Sequence, residues 1–181
     1  ADGFGIERQD VMYNDFVIIG PPDDPAGITG GRDAPAALAG IAGAEAPFVS
    51  RGDNSGTHIK ERALWRAAGI DPSGSSGAWY REAGSGMGAT LNTAVGMGAY
   101  TLTDRATWIG FGNRRDFKVL VEGDKRLFNP YGVILVNPTR HPHVNAVGGR
   151  AFISWLTGSE GQAAIAAYTV SDIQLFYPSS K

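Results

Sequence analysis

Four apolar residues in a row, Phe16, Val17, Ile18 and Ile19, stand between Asp15 and the stop signal Gly20-Pro21-Pro22. A short unbroken apolar run bounded by turn residues is the pattern of a strand covered on both faces, since neither set of alternating side chains is left for water. A sheet buried on both sides needs helices on both sides, so this run points to an α/β chain. Residues 47–50 and 131–136 repeat the pattern, the second closed by Asn137-Pro138. Residues 108–111 and 118–122 also read as strands, the latter followed by a Gly123-Asp124 turn.

Helices fall between these runs. Asp33 is placed to cap one, with Pro35 in its first turn and an Ala-rich stretch running to Gly43. The spacing predicts a second helix over 57–68, with Ile59, Ala63, Leu64 and Ala67 as its apolar stripe, and with Lys60, Glu61, Arg62 and Arg66 on the wet side. A third is expected over 89–96. The tail reads as two more, 144–156 and 160–168, with Ser159 and Gln162 at capping-box spacing. The 26 glycines cluster between these pieces, as tight loops of an α/β chain require.

Composition narrows the function. A net charge of -2 argues against a nucleic-acid binder, which would carry a basic excess. With no cysteine, the chain forms neither disulfides nor thiolate metal sites. No stretch approaches the ~20 apolar residues that cross a bilayer, and residues 1–10 are too polar for a signal peptide.

The sharpest chemical feature is Ser50-Arg51-Gly52-Asp53-Asn54-Ser55-Gly56-Thr57, between a strand end and a helix start. Free backbone N–H groups there, a partial positive charge of roughly half a unit and nearby hydroxyls make such a turn an anion site. Arg51 adds a permanent charge and a planar fork suited to two oxygens of a tetrahedral anion, with Asp53 to orient it. The competing reading is plain: Ser55 or Thr57 merely caps the helix, and Arg51 with Asp53 is a surface pair. No Gly-Lys-Ser or Gly-Lys-Thr follows, so a P-loop is excluded. Gly84-Ser85-Gly86-Met87-Gly88-Ala89-Thr90 is a second glycine-rich loop leading into a helix. Its glycines fall at every second position, which does not match a dinucleotide fingerprint; it is either a tight turn or a second donor set that includes Thr90.

Of the histidines, His141 and His143 sit in a rigid proline loop without an acid or cysteine cluster nearby in sequence, as an exposed turn does. Ser50 or Ser55 with His58 and Asp53 would pack a hydrolytic triad into nine residues with no G-x-S-x-G elbow, so an enzyme is not expected.

Residues 10–21, 50–57, 86–92, 99–105 and 129–134, in that order, resemble the tungstate-binding proteins of bacterial ABC importers, and the likeness covers nearly the whole chain. The resemblance implies a type II periplasmic-binding-protein fold, in which two α/β lobes joined by crossing hinge strands close over a ligand. Residues 1–20 and 131–181 would supply lobe one and the hinge, and 21–130 lobe two. It further implies an extracytoplasmic, periplasmic protein without a cofactor, whose ligand is tungstate or the related molybdate and whose partner is a transporter permease. The ligand-binding positions carried over are Arg51, Asp53, Ser55, Thr57, Gly88 and Thr90, and Gly56 at the helix start is expected to join them. Such proteins open with a segment that this chain does not match, so lobe one is expected to be incomplete, with apolar strand surface open to self-association. A further expectation is weak binding by this chain alone, or an interaction module that retains the fold without the ligand.

Overall fold

The computed structural model describes residues 3–180. They fall into two compact units, one built from Ala1–Asn14 and Asn129–Lys181, the other from Asp15–Phe128. Strand β1 (Gly5–Gly20) runs through the boundary at its residue 14.

Within Asp15–Phe128, β1 ends in five fully buried residues, and its alternating side chains serve two different cores. Phe16 and Ile18 pack with Leu38 and Ile41 of α1 (Ala34–Gly43), Phe48 of β2 (Phe48–Ser50), and Leu64 and Trp65 of α2 (Gly56–Ala67). Val17 and Ile19 pack on the opposite side. Past β3 (Tyr80–Glu82), they meet Met87, Leu91 and Val95 of α3 (Met87–Met97), and, past β4 (Thr101–Asp104), Trp108 of α4 (Arg105–Gly110). This is the two-sided burial that the apolar run demands, with each side chain contributing on the order of 1.5–3 kcal/mol.

β1 pairs antiparallel with β4, from Phe16 opposite Asp104 to Ile19 opposite Thr101, and with β5 (Lys118–Val121). β2 and β3 are parallel, Phe48 opposite Tyr80 and Ser50 opposite Glu82. A parallel bridge from Phe48 to Tyr100 joins β2 to the start of β4, giving the order β3-β2-β4-β1-β5.

In this unit the structure overturns two expectations. Residues 108–111 are not a strand: α4 covers Arg105–Gly110, because Asp104 accepts the Thr107 N–H at 2.9 Å and caps a helix whose aromatic and β-branched content suggested otherwise. The stripe on α2 is also turned. Ile59, Ala63 and Ala67 are exposed, and the buried face is Thr57, His58, Glu61, Leu64 and Trp65. Trp65 sets that rotation by packing edge-on against Phe48, with ring centroids 5.3 Å apart, and it carries Glu61, one turn earlier, inside with it.

In the other unit, β6 (Phe128–Val136) pairs with β1, as does β9 (Tyr177–Pro178), with Tyr13 stacked on Tyr177. Helices α5 (Ala146–Thr157) and α6 (Ser159–Ala167) pack together. β7 (Thr169–Val170) and β8 (Ile173–Gln174) form a hairpin whose two turn residues, Ser171 and Asp172, both have positive φ, the requirement of a type I′ turn. Ser159 does not cap α6: Gly158 holds the cap position, and Gln162 instead donates to the carbonyls of Val11 and Leu156. Ile134 and Val136 on β6, and Val147, Phe152 and Trp155 on α5, are exposed. Among the described residues no helix is long and apolar enough to cross a membrane.

Candidate functional site

Because β2 and β3 are parallel, their carboxyl ends, Ser50 and Glu82, lie side by side, and each leads through a short loop into a helix start. In α/β sheets, the space beyond carboxyl strand ends is where ligands are held. The two loops are tied together: Ala83 donates its N–H to the Ser50 carbonyl at 2.9 Å, and Ser85 donates to the Arg51 carbonyl at 3.2 Å.

The helix starts of this unit differ in what occupies them. At α1 the Ala34 N–H donates to Asp124 at 2.7 Å and the Ala36 N–H to Asp33 at 3.1 Å, so internal carboxylates fill the positive end. At α2, Ser55 caps only the His58 N–H, at 3.3 Å, and the N–H groups of Gly56 and Thr57 have no partner among the described residues. At α3 the cap residue is Gly86, which has no side chain to offer, and the N–H groups of Met87, Gly88 and Ala89 are likewise unpartnered.

Arg51 lies in the loop that leads from β2 into α2. Its Nη2 pairs with Asp53 Oδ2 at 2.5 Å, and its Nε is buried without a hydrogen-bond partner among the described residues. An unpaired buried donor on a charged group is costly, so this nitrogen is the atom of the loop most in need of an acceptor. Asp53 also accepts the Ser55 N–H at 3.1 Å. The Ser55 hydroxyl and N–H, together with the Arg51 guanidinium, hold its carboxyl well below the usual range, at about 2, against the opposing effect of burial. The carboxylate is therefore a fixed anchor for the guanidinium. Thr57 is buried, and its hydroxyl has no partner among the described residues.

Ser55, Gly56 and Thr57 thus come together with Arg51 and Asp53 in one turn. Gly88 sits exposed in the first turn of α3. Thr90 is used differently: fully buried, it turns its hydroxyl back on its own loop, donating to the carbonyls of Ser85 and Gly86 at 3.3 and 3.2 Å. What α3 offers is backbone, not hydroxyl. A triad is not assembled either, since Ser55 Oγ accepts from the His58 backbone and His58 Nδ1 accepts the Asn54 N–H at 3.0 Å.

Sequence reasoning missed two inward polar groups, Glu61 and Tyr80, which meet behind the loop: the Tyr80 hydroxyl donates to Glu61 at 2.8 Å. A cavity of about 700 Å³ opens on the side lined by Asn54, His58, Arg62, Arg66 and Glu82, and none of the seven expected ligand residues lines it.

The chain matches the PBP superfamily domain over residues 1–160. It is 50% identical, over 99% of its length, to a Haloferax volcanii protein provisionally named an ABC transporter anion-binding protein, of which it covers 53%. It is 44% identical, over 93% of its length, to the tungstate-binding protein TupA of Peptoclostridium acidaminophilum, covering 58% of that relative. Among solved structures, the tungstate-binding protein TupA of Desulfovibrio alaskensis superposes with a TM-score of 0.80 at 46% identity, over 99% of this chain and 72% of that one. The chain therefore spans little more than half the length of the two curated relatives. With residues 1–160 matched and the fold shared with these proteins, the chain belongs to the PBP superfamily.

Proposed function

We propose that this chain is the greater part of an extracytoplasmic, periplasmic solute-binding protein that captures a tetrahedral oxyanion, tungstate before molybdate, and delivers it to the permease of an ABC importer. The observation that carries the reading is the buried, unpartnered Arg51 Nε in the loop that leads into the open amides of Gly56 and Thr57 at the start of α2. One guanidinium and two helix starts suit a dianion: the charge meets opposite charge, and each oxygen meets an N–H. Asp53 and Ser55 act here as holders of Arg51 and of the turn, while Arg51, Gly56, Thr57 and Gly88 supply donors. Relatives named for tungstate support the choice of anion.

Calorimetry on the full-length protein tests it, with tungstate, molybdate, sulfate and phosphate titrated in turn. Tungstate is expected to bind tightly and Arg51→Ala to weaken it about ten- to a hundredfold, the scale of a charge-assisted hydrogen bond lost from a buried site. Equal, weak heats from all four anions would overturn the proposal.

A further inference from the structure

Glu61 is 2% exposed, on the inward face of α2. One carboxylate oxygen accepts from the Ser50 hydroxyl at 2.8 Å; the other accepts from Trp65 Nε1 at 3.1 Å and from the Tyr80 hydroxyl at 2.8 Å. No cation within ion-pairing distance of it is found among the described residues. A buried acid without a cation is a costly choice for merely satisfying a tryptophan and a tyrosine, each of which needs only a neutral acceptor.

The second oxygen of the acid serves Ser50. Its hydroxyl donates to Glu61 and at the same time accepts the Gly52 N–H at 3.2 Å. That N–H and the Arg51 carbonyl are the two ends of one peptide unit. The carbonyl end is held by the Ser85 N–H at 3.2 Å, and the N–H end by Ser50. Gly52 itself has φ +60°, and a Cβ built on it would meet Glu82 Cβ at 2.8 Å, so the unit has little room to turn. The plane of this peptide sets the direction in which the Arg51 side chain leaves the backbone.

We propose that Glu61 is a positioning residue for the anion site: it orients the Ser50 hydroxyl, which fixes the Arg51–Gly52 peptide unit and, through it, the guanidinium. The proposal rests on the reading of Arg51 as the anion's charged partner. Glu61 touches no ligand in this scheme; it acts through Ser50.

Glu61→Gln separates the two roles. A glutamine keeps a carbonyl for Trp65 and Tyr80, but it turns an NH2 toward Ser50 and so removes the acceptor of that hydroxyl. In the full-length protein at pH 8, where the carboxyl is ionised and both its oxygens accept, sodium tungstate affinity is expected to fall at least about tenfold in Glu61→Gln and in Ser50→Ala, and to fall no further in the double variant, because both cut the same link. Ile41→Val, a mild loss in the core on α1, controls for stability and should bind as the parent does. The spectroscopic arm needs no ligand. The Gly52 amide and Arg51 Nε–H resonances should shift or broaden in both link variants and stay in place in Ile41→Val. Ser50→Ala reads the same link should Glu61→Gln fail to fold. Parent-like affinity with unmoved Gly52 and Arg51 resonances overturns the proposal, and so do losses that multiply in the double variant. If the parent itself ignores tungstate, the functional reading fails, and the resonances alone decide the positioning role.

Discussion

The Ser85 N–H donates to the Arg51 carbonyl at 3.2 Å, which ties the loop ahead of α3 to the loop that carries the guanidinium. The bond extends the β2–β3 ladder beyond its last strand pair, Ser50 with Glu82. It makes the two helix starts a joint feature of one sheet edge rather than two separate turns. On the proposed reading, donors from α2 and α3 would hold a fixed spacing before an anion arrived, and preorganised donors lose little freedom on binding.

That spacing depends on Gly52. Its φ of +60° is a left-handed conformation, and a Cβ placed there would meet Glu82 Cβ at 2.8 Å. The left-handed conformation alone costs an L-residue about 1–2 kcal/mol, and the contact adds to it. Gly52→Ala is expected to lower the unfolding free energy by at least about 2 kcal/mol in urea titrations and to weaken tungstate binding in parallel. An unchanged urea midpoint would show that the loop relaxes freely.

At α3 a substitution should move stability and binding in opposite directions. Gly86 is the cap residue, with φ -64°, and nothing lies within 4 Å of where its Cβ would stand, so an aspartate fits without strain. Its carboxylate would take the open amides and complement the helix dipole, stabilising the fold by about 1 kcal/mol. The same carboxylate would occupy the donors and repel a dianion. Gly86→Asp should therefore raise the melting temperature while cutting tungstate affinity by more than about tenfold. A rise in melting temperature with affinity intact would remove α3 from the site.

Much of this was legible in the chain because it is local. The Phe16 to Ile19 run and the Asp33 cap with Pro35 behind it each state their role within a few residues, and the placement of Arg51 between a strand end and a helix start is equally local. What was not legible depends on partners distant in sequence or on side-chain direction. Glu61 reads as a wet-face residue until Trp65 is seen packing on Phe48 from β2. Residues 108–111 read as a strand because the Asp104 cap competes with, and outweighs, their β propensity. Thr90 offers a hydroxyl in sequence, but in the fold the carbonyls of its own loop take it.

Asp53 makes a narrower prediction. Its folded pKa of about 2 lies below the ordinary 3.8, so its stabilising contribution is present above pH 3.8 and is lost as pH falls through about 2. Asp53→Asn retains an acceptor for the Ser55 N–H but gives up the charge that holds Arg51. Tungstate affinity at neutral pH should drop about three- to tenfold, and the part of the parent's acid-unfolding limb due to this group should vanish. Superimposable acid limbs would show that the pair contributes nothing to the fold.

Glu61 gives the opposite sign. Burial pushes its carboxyl up from 4.5 to about 7, despite the hydrogen bonds it accepts from Ser50, Tyr80 and Trp65. A folded pKa above the unfolded one means that the folded chain holds the extra proton between these values. Stability from this group is then complete below pH 4.5 and declines as pH rises through 7, by about 3 kcal/mol in all. Asp53 and Asp124, both held at about 2, titrate below this window and do not offset the decline. Urea midpoints measured at pH 5, 6, 7 and 8 should fall in the parent more steeply than in Glu61→Gln, which carries no titrating group at that position. Parallel pH profiles would mean that the carboxyl is ionised throughout, held as an anion by its three donors.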